Sequence, residues 1–348
     1  MTRLGIVFGG RSGEHSVSLM SATSVIGALD ASKYEVVCIG ITRQGEWKLY
    51  SGPAACIESG EWERTAKPFN AGDLKKEIDF AFPVLHGPYG EDGTIQGLFE
   101  MLDVPYAGCG VLASALAMDK IVAKELFKAD GLPVCRHMAV AAEELAGAER
   151  LADRIEDRIE DCFSGKYPLF VKPSNMGSSV GISKVKHRGG LAAALDEAAR
   201  HDRRIIVEEG IAGRELETAI LGNASPEAAV VGEVLPSAEF YDYAAKYLDG
   251  GKSKICVPAD IPQETAEEVR ATAVKAYKAL DCSGFARVDF FLEEGTGKVF
   301  LSEVNTIPGF TKYSMFPLLW QGAGLAYPRQ LERIVEFGNE RYYAKNHR

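Results

Sequence analysis

The chain lacks the cysteine spacings of a zinc site. Its seven cysteines, Cys38, Cys56, Cys109, Cys135, Cys162, Cys256 and Cys282, include no Cys-x-x-Cys pair. Their number is odd, so they do not read as a disulfide framework, and small core residues in a reducing cytosol are the expectation. An excess of positive charge is also missing. A net charge of -10 argues against a partner gripped through nucleic-acid phosphates. No basic and apolar leader precedes Leu4-Gly5-Ile6-Val7-Phe8, which reads as a buried strand, and no apolar run is long enough to span a bilayer. A cytoplasmic protein without membrane or nucleic-acid partners is therefore expected. Internal repeats are absent, and so is the Gly-x-x-x-x-Gly-Lys-Ser/Thr phosphate loop. A dinucleotide fingerprint is spoiled as well: Gly10 and Gly13 fit its last two glycines, but Phe8 stands where the first belongs.

What is present reads as alternating α/β structure. A length of 348 residues suits two or three domains. In residues 1–120, strands at 4–8, 35–41 and 78–85 alternate with helical stretches such as 17–29, which predicts a parallel sheet. Residues 121–210 read as a smaller unit. Its helix at 120–129 stops at Gly131 with Pro133 beyond, and a charged helix is expected over 141–162. Strands at 169–173, 182–185 and 205–209 and a helix at 191–201 follow. Residues 211–348 offer strands at 215–221 and 229–234, then a polar segment, 236–258, long enough to act as a lid. A helix at 264–280 leads into a hairpin. Segment 51–70 has no functional reading.

That hairpin holds the densest chemistry. Arg287-Val288-Asp289 and Glu303-Val304-Asn305 are polar islands in apolar runs, separated by Glu293-Glu294-Gly295-Thr296-Gly297-Lys298. Polar residues two apart share a strand face, so neighbouring strands bring Asp289, Glu303 and Asn305 together as oxygen ligands. Such hard ligands suit magnesium on a nucleotide. A solvated strand face is the plainer alternative. Flanks that are apolar on both sides read as a covered sheet and favour a site. Lys172, at a strand end, precedes the Gly177-Ser178-Ser179 loop, whose backbone donors can close over phosphates. Glu14 opens a helix, where capping competes with reception of a substrate ammonium group. His86 ends a strand at the ligand-binding edge of an open sheet. Gly309 can offer its N–H to a developing oxyanion, and Ser314 can bind a carboxylate.

Taken in order, these segments resemble the D-alanine–D-alanine ligases of the ATP-grasp superfamily. The motifs are Gly13-Glu14-His15 with Val17-Ser18, His86-Gly87 with Gly90-Glu91-Asp92-Gly93-Thr94, and Lys172-Pro173 with Gly177-Ser178-Ser179-Val180-Gly181. They continue through Tyr241-Asp242-Tyr243 with Ala245-Lys246-Tyr247, Arg287-Val288-Asp289, and Glu303-Val304-Asn305-Thr306 with Pro308-Gly309. The resemblance runs from residue 4 to about 335. It implies a three-domain α/β fold with ATP held between the central and C-terminal domains. It also implies that ATP phosphorylates one D-alanine and that the amine of a second displaces the phosphate. Two magnesium ions, or manganese, would sit on Asp289, Glu303 and Asn305. Arg287 and the Gly309 N–H would stabilise the oxyanion. Glu14 would bind the first ammonium group in a pocket lined by His86, and Ser178 and Tyr247 would be linked to Glu14. Ser314 would hold the second carboxylate, with Met315 beside the methyl group. Lys120, Lys172 and Lys246 would meet the ATP phosphates, Glu208 and Ile211 the adenine, and Glu215 the ribose. A homodimer is implied too.

Two departures stand out. Glu209 occupies a position where many members carry lysine, and the first motif reads Glu-His-Ser-Val-Ser rather than Glu-His-Glu-Val-Ser. Lys246-Tyr247, without the histidine of lactate-forming relatives, favours an amine nucleophile. Met315 suits a methyl better than a hydroxymethyl group, although an apolar pocket rejects such an isostere only weakly. A D-serine-adding ligase, another ATP-grasp ligase and a non-catalytic nucleotide-binding module are the alternatives. Intact Arg287, Asp289, Glu303 and Asn305 argue against the last.

Overall fold

Eight residues from Thr2 to Gly9, apolar through most of their length, form strand β1 at the heart of the first sheet. In this computed structural model residues 1–145, 149–235 and 254–346 are described, with 149–153 described by backbone alone. The sheet also contains β2 (Tyr34–Ile41), β3 (Trp47–Tyr50), β4 (Lys67–Pro68) and β5 (Phe80–Val84), in the order β4-β3-β2-β1-β5. Strands β2, β1 and β5 are parallel, as expected, but β3 runs antiparallel to both its neighbours, β2 and β4. The reason is local. Only a short turn through Gly45, at φ 92°, separates β2 from β3, and a parallel neighbour needs a crossover of a dozen residues or more. Segment 51–70 covers the sheet. Trp62 is fully buried, meets Phe8 edge to face at 5.0 Å, and leaves no room for a side chain at Gly40.

The second sheet is antiparallel, in the order β6-β9-β7-β8: β6 (His137–Ala141), β7 (Leu169–Pro173), β8 (Ser183–Val185) and β9 (Arg204–Glu209). Two helices cover it through stripes at helical spacing, Ile155, Ile159 and Phe163 on one and Leu191, Ala194, Leu195 and Ala198 on the other. Of the helix expected over 141–162, Ala142–Leu145 and the stretch from Glu149 are helical, while Ala141 ends β6 and residues 146–148 lie outside the described residues.

The third sheet, also antiparallel, contains β10 (Gly213–Leu221), β11 (Glu227–Leu235), β12 (Lys254–Cys256), β13 (Phe285–Glu293) and β14 (Val299–Asn305). Its order is β12-β11-β10-β13-β14. Val288, Phe290 and Leu292 enter a core with the helices Lys120–Ala129 and Gln263–Ala279. The alternate residues Arg287, Asp289 and Phe291 lie half-buried on the opposite face. One face of these strands thus packs into the core, and the other carries the polar islands half-buried. The strands alternate cleanly between core and an open face.

One hydrophobic cluster joins the first and third sheets. Phe82 meets Phe310 at 5.8 Å, and Phe285 meets Phe310 at 5.3 Å and Phe316 at 5.7 Å. The last helix, Tyr327–Asn346, returns to the first sheet through Leu331, Ile334 and Val335. Among the described residues, no helix is long and apolar enough to cross a membrane.

Candidate active site

The C-terminal ends of β1 and β5 release the loops that carry Glu14 and His86 towards the third sheet. Glu14 precedes the helix His15–Ala28 and is nearly buried. Its Oε1 accepts a hydrogen bond from Ser178 Oγ, so the loop after β7 is tied to the first sheet. Glycine leaves Glu14 its room on both flanks. A Cβ at Gly87 would fall 2.5 Å from Glu14 Oε2, and one at Gly177 would fall 2.6 Å from it. Ser178 and Ser179 hold φ values of 48° and 61°, so consecutive left-handed residues shape this loop.

His86 is buried, and both its ring nitrogens are engaged within the protein. Nδ1 lies 2.9 Å from the Ile307 carbonyl and Nε2 lies 3.0 Å from Ser21 Oγ. Burial lowers its pKa, which favours the neutral ring. Ser21 Oγ also accepts the Phe310 N–H at 3.2 Å. Glu91 completes this clasp. Its carboxylate accepts the N–H groups of Gly87 at 2.7 Å and Ile307 at 3.1 Å. Burial and the neighbouring Glu14 push its pKa up to about 8. The loop that carries Gly309 is therefore held by His86, Glu91 and Ser21.

On the third sheet Asp289 pairs with Glu303 and Arg287 with Asn305 across β13 and β14. Glu217 of β10 pairs with Asp289 on its other side. Arg287 donates to Asp289 through two bonds, of 2.7 and 2.6 Å, and lies 2.9 Å from Glu217. Burial opposes its charge, but Asp289 and Glu217 hold its pKa well above the usual value. Asn305 Nδ2 donates to Asp289 Oδ2 at 3.0 Å. Among the described residues no group of three or more His, Cys, Asp and Glu side chains is arranged to hold a metal. Two carboxylates and an amide form a partial oxygen set, which suits a hard cation that shares its remaining positions with water and phosphate.

Lysines face this set. Lys120 lies 3.7 Å from Glu303 and donates to the Met176 carbonyl at 2.8 Å. Lys172 meets Glu208 at 2.6 Å, and Lys124 meets its other oxygen at 3.1 Å. Burial would raise the Glu208 pKa, but Lys124 and Lys172 drive it far below the usual carboxylate range. Ile211 lies in the turn between β9 and β10, and Glu215 stands on β10 opposite Phe291. The Glu209 side chain turns away to Arg136, with bonds of 2.7 and 2.9 Å.

Ser314 caps the helix Met315–Gly322, and its Oγ accepts the Thr311 N–H at 3.0 Å beside Gly309. Met315, the first residue of that helix, is 5% exposed and packs in the hydrophobic core, with its sulfur against Gly232. Lys246 and Tyr247, with residues 236–253 of the expected lid, lie outside the described residues, while its end, Lys254–Cys256, is strand β12 paired with β11. Lys124, Glu91, Glu217 and Ser21 escaped the sequence reading. Lys124 alone left a signal there, four residues after Lys120 and so on the same helix face.

A face of carboxylates and an amide opposed by lysines and a glycine-serine loop suits a nucleotide-dependent ligase. The comparisons agree. The fold matches the VanG D-Ala:D-Ser ligase from Enterococcus faecalis with a TM-score of 0.86 and 38% identity, covering 97% of this chain and 99% of that one. It matches the D-alanine–D-alanine ligase from Coxiella burnetii with a TM-score of 0.84 and 33% identity, covering 99% and 96%. This is the ATP-grasp fold. Family models described as D-ala D-ala ligase N-terminus and C-terminus match residues 3–109 and 126–336. A D-alanine–D-alanine ligase of Thermoanaerobacter sp. strain X514 is 49% identical over 99% of this chain and 98% of its own length. One from Acetivibrio thermocellus is 48% identical over 98% and 96%. The chain belongs to the D-alanine–D-alanine ligase family, an enzyme family that uses ATP with a divalent metal.

Proposed function

We infer that this protein joins two D-alanine molecules into D-alanyl-D-alanine for peptidoglycan precursors, at the expense of ATP. The observation that carries the reading is the continuous row Glu217, Asp289 and Glu303 across three strands, with Arg287 and Asn305 beside it. A free carboxylate is a poor electrophile. Transfer of the γ-phosphate to the first D-alanine supplies a leaving group, and the amine of the second then forms the peptide bond as phosphate departs. Both partners in the first transfer are anionic, so positive charge must be concentrated there. A divalent ion, which we take to be magnesium, would be held by Asp289, Glu303 and Asn305 and would screen the phosphate charge. Lys120 and Lys172 add fixed cations, with Glu208, Ile211 and Glu215 around the nucleoside. Glu14, kept in place by Ser178, receives the first ammonium group. His86 shapes that pocket and fixes the Gly309 loop, because its nitrogens are already bonded. Arg287 and the Gly309 N–H face the tetrahedral oxyanion, and Ser314 holds the second carboxylate.

Seven free thiols suit a cytoplasmic enzyme, and we expect a homodimer, which sedimentation would check. A D-serine second substrate is the alternative reading. The resemblance to a D-Ala:D-Ser ligase supports it. Product analysis with mixed D-alanine, D-serine and D-lactate, coupled to phosphate release, tests both. D-Alanyl-D-alanine as the main product is expected. Absence of phosphate release with any D-amino acid would sink the whole assignment.

A further inference from the structure

Strand β14 breaks its alternation once, at Ser302. Leu301 pairs with Phe290 and Glu303 with Asp289, so Ser302 has no partner on β13 and forms a β-bulge. The consequence follows from the period of two. Val299 and Leu301 face the core. Without the bulge, with Ser302 alternating regularly, Glu303 would follow them inward and Val304 would stand on the open face. With it, Glu303 and Asn305 reach the open face and Val304 returns to the core.

One side chain from another element holds this bulge. Lys124, on the helix Lys120–Ala129, is 2% exposed. An ammonium group has three protons to place. Here it meets three acceptors: the Ser302 carbonyl at 3.1 Å, Glu208 Oε1 at 3.1 Å and Cys135 Sγ at 3.6 Å. Just before the bulge, the Leu301 N–H donates to the Pro133 carbonyl at 2.7 Å, so the same chain segment braces the strand from outside. Burial of an ammonium group is costly unless it is paired, and Glu208 supplies the charge. The charge pairing with Glu208 is shared with Lys172, which meets it at 2.6 Å. The bond to Ser302 is what Lys124 adds.

We propose that Lys124 is a positioning residue. It pins the Ser302 bulge and thereby keeps Glu303 and Asn305 on the metal-facing side of β14, with Glu208 as its anchor. The metal half of this statement rests on the function proposed above; the bulge half does not. Two measurements separate them. The first is hydrogen exchange of the ligand-free protein, wild type against K124M. Faster exchange confined to residues 299–305, with the first sheet unchanged, is expected. The second is Mn2+ titration by electron paramagnetic resonance with a non-hydrolysable ATP analogue. K124M is expected to bind Mn2+ roughly ten- to a hundredfold more weakly, as loss of an outer partner does in other sites. K124R, whose guanidinium can serve both oxygens, should recover most of this. A lysine that only balanced Glu208 would change stability and leave both readouts alone. Unchanged exchange at 299–305 in folded K124M overturns the inference. Failure of the wild type to bind Mn2+ overturns only the metal-site reading. Should K124M not fold, K124Q, polar but one bond short of the Ser302 carbonyl, takes its place: faster exchange at 299–305 supports the inference and unchanged exchange overturns it.

Discussion

Glu208 is a carboxylate 3% exposed, and only its two lysines make that tolerable. Its pKa is lowered on folding, so it binds fewer protons in the native state than in the unfolded chain. The stability it contributes is therefore present above the unfolded value, about 4.3, and is lost as the pH falls below it. E208Q is expected to flatten that acid limb. At pH 7 it should lose about 3–5 kcal/mol, because two buried ammonium groups keep only neutral partners. Urea denaturation at pH 7 and pH 4 checks both; equal slopes for the two proteins would contradict the pairing. A second prediction concerns Gly177. A methyl group there would press on Glu14 Oε2. G177A should raise KM for the first D-alanine by about tenfold, the size of a ~1.4 kcal/mol loss, within the usual range for overpacking. Its melting temperature should change little, because the strain falls on a half-buried loop outside the hydrophobic cores. Initial rates at varied D-alanine decide the matter, and an unchanged KM would remove Glu14 from the ammonium pocket.

Among the elements, the hairpin β13–β14 was the most legible in sequence, because strand periodicity is a local property. Asp289 and Asn305 two apart from Arg287 and Glu303 already specify a shared face. What sequence hides is contact between distant segments. The partners of His86 lie 221 and 65 residues away, and nothing local marks Glu91 as the acceptor of the Ile307 N–H. Even within the hairpin, the alternation that suggested the site breaks at Ser302, and only the register reveals that the break is needed. Segment 51–70 gave no functional signal because it has a packing task. Trp62 fills the space above Gly40 and against Phe8. W62A is expected to cost about 3–5 kcal/mol of stability, as for other buried aromatic truncations, while kcat stays near wild type. Denaturant midpoints and saturated rates measured together test this. A loss of kcat with unchanged stability would assign the segment a part in the chemistry.

At the scale of the molecule, the chain returns to its beginning. Helix Tyr327–Asn346 places Gly338 where a Cβ would lie 2.5 Å from both the Phe80 ring and the Tyr106 carbonyl, and Arg341 stacks 3.9 Å over the Tyr106 ring. Surface pairs such as Lys33–Glu332, at 2.6 Å, add little by themselves. The apolar contact is what binds the ends. Trp62 of the first sheet and Trp320 near the third belong to one continuous buried cluster. Two regions that share a core cannot lose it separately, so they should unfold in one transition despite a length at which intermediates are common. The three tryptophans make this measurable. One variant keeps only Trp320; another replaces Trp320 by phenylalanine and keeps Trp47 and Trp62. Their fluorescence is expected to report the same urea midpoint after correction for each variant's own stability by circular dichroism. G338A should then move both midpoints together, by about 1–3 kcal/mol of overpacking strain. If the Trp47 and Trp62 signal shifted while Trp320 held its midpoint, the shared cluster would not be coupling the first sheet to the catalytic one. Glu14 and Arg287 would then sit on bodies free to part, and the clasp of His86 and Glu91 on the Gly309 loop would alone have to hold the site together.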